Sequence, residues 1–79
     1  MKKRVKVLLN SIDSVKRFSN ITFKHDLDLS LHSGRYTVDA KSIMGIFSLD
    51  LSKPIDLEID GSNQEAIDLF LEQIETFII

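Results

Sequence analysis

From residue 26 to residue 32 the chain alternates between apolar and polar side chains. Leu27, Leu29 and Leu31 take one side; Asp26, Asp28, Ser30 and His32 take the other. That is the period of a strand with one buried face and one wet face. Ser33-Gly34 reads as a tight turn, because glycine tolerates positive φ. Tyr36, Val38 and Ala40 continue the alternation on a returning strand. The same period appears at 3–9, where Val5, Val7 and Leu9 alternate with Arg4, Lys6 and Leu8. It appears again at 55–60, where Ile55, Leu57 and Ile59 alternate with Asp56, Glu58 and Asp60 before Gly61. Strands wet on one face belong to an antiparallel sheet.

Between these strands the period lengthens to that of a helix. Asn10 or Ser11 offers a cap, and Ile12, Val15, Phe18 and Thr22 then recur at helical spacing, predicting a helix over about 11–24. Ser62-Asn63-Gln64-Glu65 reads as a capping box with Ser62 as the cap. Ala66, Ile67, Phe70, Ile74, Phe77 and Ile78 make an amphipathic stripe beyond it. Pro54 biases Lys53 away from helical backbone, so 50–54 is a loop.

The remaining stretch is Lys41-Ser42-Ile43-Met44-Gly45-Ile46-Phe47-Ser48-Leu49. Ser42 is a good N-cap, so a short helix is expected over 42–49. Residues 43, 44, 46, 47 and 49 are all apolar, and a helix that is apolar nearly all round can be covered only in part by a small core. Ile43, Met44 and Phe47 are therefore expected to form an exposed patch, and such patches mark partner surfaces. The plainer reading is a short core helix with no partner.

The order is β-α-β-β-α-β-α. Four strands with one apolar face need a cover, and three amphipathic helices supply it. The expected architecture is α+β: an open-faced β-sandwich of one four-stranded antiparallel sheet with three helices on one face, in a single domain over 1–79. Periodicity alone leaves two strand orders open, since a ferredoxin-like sheet shares the same β-α-β-β-α-β sequence of elements.

Composition narrows the function. The 79 residues contain no cysteine, which removes disulfides and thiolate metal sites and fits a reducing compartment. The net charge of −2, with one dense basic run at Lys2-Lys3-Arg4, argues against direct nucleic-acid binding. No apolar run approaches membrane-spanning length, and the basic start is followed by too few apolar residues for a signal peptide. His25 follows the first helix and His32 lies on a wet strand face; both read as ordinary surface histidines without further metal ligands at convincing spacing. The carboxylates at 26, 28, 56, 58 and 60 read as solvated strand faces. No catalytic constellation, cofactor site or metal site is expected, and the chain is not read as an enzyme.

The stretch from Lys41 to Leu49 resembles the regulatory-serine segment of HPr, the small phosphocarrier protein of the phosphoenolpyruvate-dependent sugar phosphotransferase system. The hairpin at Ser33-Gly34, the strand ending at Gly61 and the C-terminal helix fall where HPr has counterparts, so the resemblance covers nearly the whole chain. It favours the HPr-like strand order and a cytoplasmic protein. HPr has a Gly-x-His-x-Arg-Pro-like sequence after its first strand, and its histidine carries the phosphoryl group. Here the loop is shorter and reads Asn10-Ser11-Ile12-Asp13-Ser14, with Ser11 about where the histidine would be. Asp13, about where the arginine would be, would repel a phosphate. The resemblance thus implies a divergent member without the carrier histidine. It further implies phosphorylation of Ser42 by an HPr kinase-like enzyme, and contacts of a transcription regulator at Ile43, Met44 and Phe47. A phosphocarrier of decayed activity is one alternative. A small-molecule-binding module like the ACT domains is another, and it would place the first and third strands in the middle of the sheet. Oligomeric state is left open.

Overall fold

The computed structural model describes residues 2–79. Its elements in chain order are β1 (Lys2–Val7), α1 (Ile12–Phe23), β2 (Asp28–Ser33), β3 (Tyr36–Asp39), α2 (Ile43–Phe47), β4 (Ile55–Asp60) and α3 (Gln64–Gln73), followed by a 3₁₀ turn at Glu75–Phe77. The sheet order is β1-β4-β2-β3 and every pairing is antiparallel. β4 and β2 are central, β1 and β3 are the edges. The ACT-like alternative required β1 and β3 in the centre, so the sheet order overturns it.

The alternation seen in the sequence sets the two faces. Leu29, Leu31, Ile55, Leu57, Ile59 and Val7 point into one core together with Val15 and Phe18 of α1, Ile46 of α2, and Ile67 and Phe70 of α3. Phe18 meets Phe77 edge to face at 5.8 Å, locking α1 to the C-terminal turn. On the opposite face the charged residues form cross-strand rows. Arg4 lies opposite Glu58, and Lys6 opposite Asp56, each pair joined at 3.2 Å.

Several local readings are corrected. The hairpin loop is Gly34-Arg35, one residue later than Ser33-Gly34, because Ser33 still pairs with Tyr36. Gly34 has φ of +60° and Arg35 stays negative, as a type II′ turn requires. Tyr36, which continues the alternation of Val38 and Ala40, is 69% exposed at the hairpin tip, where it pairs with Ser33. Asn63, not Ser62, caps α3: its side chain accepts the Glu65 amide at 2.9 Å. α3 ends at Gln73, short of the expected stripe, and Phe77 reaches the core from the 3₁₀ turn. Ile12, which shares the helical spacing of Val15, Phe18 and Thr22, is 64% exposed. At 100° per residue it lies about 70° from the centre of the buried Val15-Phe18-Ser19-Thr22 stripe, on the flank and in the first turn.

After β1 the chain leaves the sheet at Leu8, and the C-terminal residues run back beside it. The Leu8 amide donates to the Phe77 carbonyl at 2.9 Å, and the Ile79 amide donates to the Lys6 carbonyl at 3.1 Å. Val7 and Ile78 form an antiparallel bridge.

Candidate functional site around Ser42 and helix α2

α2 is a single turn and a half, and its caps account for its ends. Ser42 is extended (φ −94°, ψ 103°), and its Oγ accepts the Gly45 amide at 3.2 Å. At the far end the Ser48 hydroxyl donates to the Gly45 carbonyl at 2.6 Å. Glycine at 45 lets the helix sit close to β3. A Cβ there would stand 3.2 Å from that of Val38 and 3.3 Å from the Ser42 Oγ.

Only part of α2 is covered, as its composition requires. Ile46 is fully buried, and Leu49, just past its end, is buried too. Met44 is 78% exposed and Phe47 is 41% exposed, while Ile43 is half-buried against the core. Of the three expected patch residues, Met44 and Phe47 are thus open to a partner and Ile43 forms the floor between them and the core. Ser42 itself is exposed.

Lys41 does not serve Ser42. Its Nζ donates to the main-chain carbonyl of His25 at 2.9 Å, at the exit of α1, and its own amide donates to Asp39 Oδ1 at 2.9 Å. A main-chain carbonyl just past the C-terminal end of α1, where a cation is favoured, thereby gains a charged donor.

α1 starts at the opposite end of its axis. Ser11 is its cap, with Oγ accepting the Ser14 amide at 3.0 Å and donating to Ser14 Oγ at 2.8 Å. Asp13 pairs with Arg17 at 3.0 Å. A 12-residue helix is roughly 18 Å long, so Ser11 at its entry and the Lys41 contact at its exit are well separated. The segment 10–14 presents hydroxyls and a carboxylate, and no imidazole.

The two histidines are used structurally. His25 Nε2 is 2.8 Å from Gln73 Oε1, and its ring meets Phe70 edge to face at 5.2 Å. His32 lies among hydroxyls on the outer sheet face, with Nδ1 3.1 Å from Thr37 Oγ1 and Nε2 3.1 Å from Ser30 Oγ. Glu58 Oε2 lies 3.9 Å from the same Nε2. Among the described residues no group of three or more metal-binding side chains converges, and no helix is long and apolar enough to cross a membrane.

No protein-family model matches the chain, and no curated protein matches it by sequence. Solved structures do match. The phosphocarrier protein HPr of Bacillus anthracis superposes with a TM-score of 0.67 at 28% identity, over 92% of this chain and 94% of that one. The fold is that of HPr. HPr-C-His of Thermoanaerobacter tengcongensis gives a TM-score of 0.70 at 23% identity, over 96% of this chain and 92% of that one. Crh, the catabolite repression protein of Bacillus subtilis solved as a domain-swapped dimer, gives 0.64 at 23% identity, over 95% and 87%. α2 packs against α1 and the edge strand β3, with Ile46 turned to the core and Met44 and Phe47 turned outward.

Sequence reasoning placed Ser42 as the cap of α2 and Met44 and Phe47 on its exposed side, as the structure has them. It missed the Lys41–His25 link, which joins residues 16 apart, and the exposure of Ile12. A lysine beside a cap carries no local sign of where its amine goes.

Proposed function

We propose that the chain is a regulatory or interaction protein of the HPr type, acting through Ser42 and the apolar α2 and not as a histidine phosphocarrier. The observation that carries this reading is the exposed Ser42 hydroxyl beside the exposed Met44 and Phe47, in a chain whose 10–14 segment lacks an imidazole. An HPr kinase-like enzyme transfers a phosphoryl group from a nucleotide to Ser42 Oγ, and the hydroxyl proton leaves. The product carries a charge of roughly −1.5 to −2 and three acceptor oxygens. The amides of the first turn of α2 favour that charge. Lys41 contributes only if it releases the His25 carbonyl. The new charge stands next to the Ile43-Met44-Phe47 surface and changes which protein, such as a transcription regulator, that surface accepts. The protein is cytoplasmic, binds no cofactor and catalyses no reaction of its own.

Two incubations test this. With an HPr kinase and ATP, intact-mass and peptide analysis is expected to place one phosphate on Ser42 and none in Ser42→Ala. With phosphoenolpyruvate and the first enzyme of the phosphotransferase system, no acid-labile phosphate is expected. Stoichiometric phosphohistidine at His25 or His32 overturns the proposal.

A further inference from the structure

The hairpin tip and the loop between α2 and β4 border an open hollow of about 470 Å³. It is lined by residues 33–36, Ser48, Asp50 and Lys53, and its volume lies in the range of roughly 300–1,000 Å³ common to small-molecule sites. The donors around it are unevenly committed. Of the chain's three arginines, Arg4 and Arg17 pair with Glu58 and Asp13. Arg35 has no carboxylate partner among the described residues. The Gly34 and Arg35 amides, at the two central positions of the turn, take no carbonyl partner in the turns and loops.

Asp50 is the one carboxylate of the lining, and its charge is already engaged. Its Oδ1 accepts the Ser52 hydroxyl at 2.6 Å and the Ser52 amide at 3.1 Å. Its Oδ2 is 4.0 Å from Lys53 Nζ, a loose contact that leaves the ammonium able to serve a second anion. Tyr36 adds an exposed aromatic ring on the same rim. The hollow therefore joins a free guanidinium, an ammonium, turn amides and an aromatic face. A guanidinium fork matches two oxygens of a phosphate.

We propose that this hollow binds small phosphate monoesters, the phosphoryl group held by Arg35 and Lys53 and the ring of the ester lying against Tyr36. The site is independent of Ser42 and would stand if the reading of α2 failed. Binding is reversible and involves no bond to the protein. Screening of exposed cations makes it salt-sensitive.

Adenosine monophosphate, adenosine and inorganic phosphate serve as probes, each titrated into the labelled protein at low salt with amide shifts followed by NMR. Adenosine monophosphate is expected to shift Gly34, Arg35 and Tyr36 saturably, inorganic phosphate to shift the same amides at higher concentration, and adenosine to shift none. Arg35→Gln is expected to weaken the nucleotide roughly tenfold or more with an unchanged melting temperature, since this exposed residue has no partner to lose. Tyr36→Ala is expected to weaken the nucleotide while leaving inorganic phosphate as it was. Absence of saturation at millimolar nucleotide, equal binding by Arg35→Gln, or shifts centred on Ser42 to Gly45 would each overturn the proposal.

Discussion

The ammonium of Lys41 and the carbonyl of His25 lie 2.9 Å apart, joining the entry of α2 to the exit of α1. The bond is partly shielded and charge-assisted. Lys41→Met is expected to lower stability by about 1–2 kcal/mol, from the lost bond and the carbonyl left without its cation. Denaturant melts of the variant check this. Kinase labelling of Ser42 in the same variant should proceed as in the wild type, because the amine is not spent on that hydroxyl.

Leu29 is 5% exposed and sits on β2 in the middle of the sheet. Leu29→Ala removes buried methyl groups and leaves a cavity, at an expected cost of about 2–5 kcal/mol. Chemical denaturation measures it. A loss below about 0.5 kcal/mol would mean that the face is not packed as described.

Met44→Ala and Phe47→Ala should weaken recovery of a cognate partner while costing less stability than Leu29→Ala, since both side chains are open to solvent. Phe47 retains a buried edge, so its variant should be the less stable of the two. Thermal melts beside binding assays separate the effects. If Phe47→Ala unfolds the protein as badly as Leu29→Ala, Phe47 belongs to the core and the patch is lost.

Ser42→Asp keeps a capping oxygen, and its melting temperature should match the wild type. Ser42→Ala removes the acceptor of the Gly45 amide and should cost about 1 kcal/mol. Any change in partner binding by Ser42→Asp is then electrostatic. Aspartate carries less charge and fewer acceptors than a phosphate, so the effect should be weaker than that of true phosphorylation.

The Ser52 hydroxyl, then its amide, and more weakly the Lys53 charge hold the Asp50 carboxyl below the usual carboxylate range. Its folded pKa is depressed, so its contribution to stability is complete above the ordinary aspartate range and is lost as pH falls through the lower folded value. Carboxyl chemical shifts followed against pH should give an Asp50 midpoint below that of a free aspartate. Ser52→Ala should raise it.

The strands were legible because their signal is strictly local. Ile55, Leu57 and Ile59 alternate with three carboxylates, and no other backbone arrangement buries the first set while wetting the second. α2 was legible for a related reason: five apolar residues behind a serine exceed what one small core can hide. Caps were less so. Ser62 and Asn63 are both good caps, and the choice depends on where α3 meets the core, through Ile67 and Phe70. Ile12 shows the same limit from the other side. Helical spacing placed it near the buried stripe, but whether a flanking first-turn residue is covered is decided by what lies beside it. Arg35 and Lys53 are 18 positions apart and share a hollow only because the hairpin tip and the α2–β4 loop meet at one end of the sheet.

The position of β4 between β1 and β2 also governs the time course of folding. Arg4 and Glu58, opposite one another in the finished sheet, are 54 residues apart in the chain. β2 and β3 are neighbours in the chain and can pair as soon as both have emerged, whereas β1 pairs with β4 and must wait for it. The bond from Leu8 to Phe77 forms later still. Loop-closure entropy must be met before these distant pairings return any energy, which slows assembly relative to a helical bundle of equal size. Until then Val5 and Val7 lie on an unpaired strand beside Lys2, Lys3, Arg4 and Lys6, and those four charges act as gatekeepers that keep two nascent copies from pairing edge to edge.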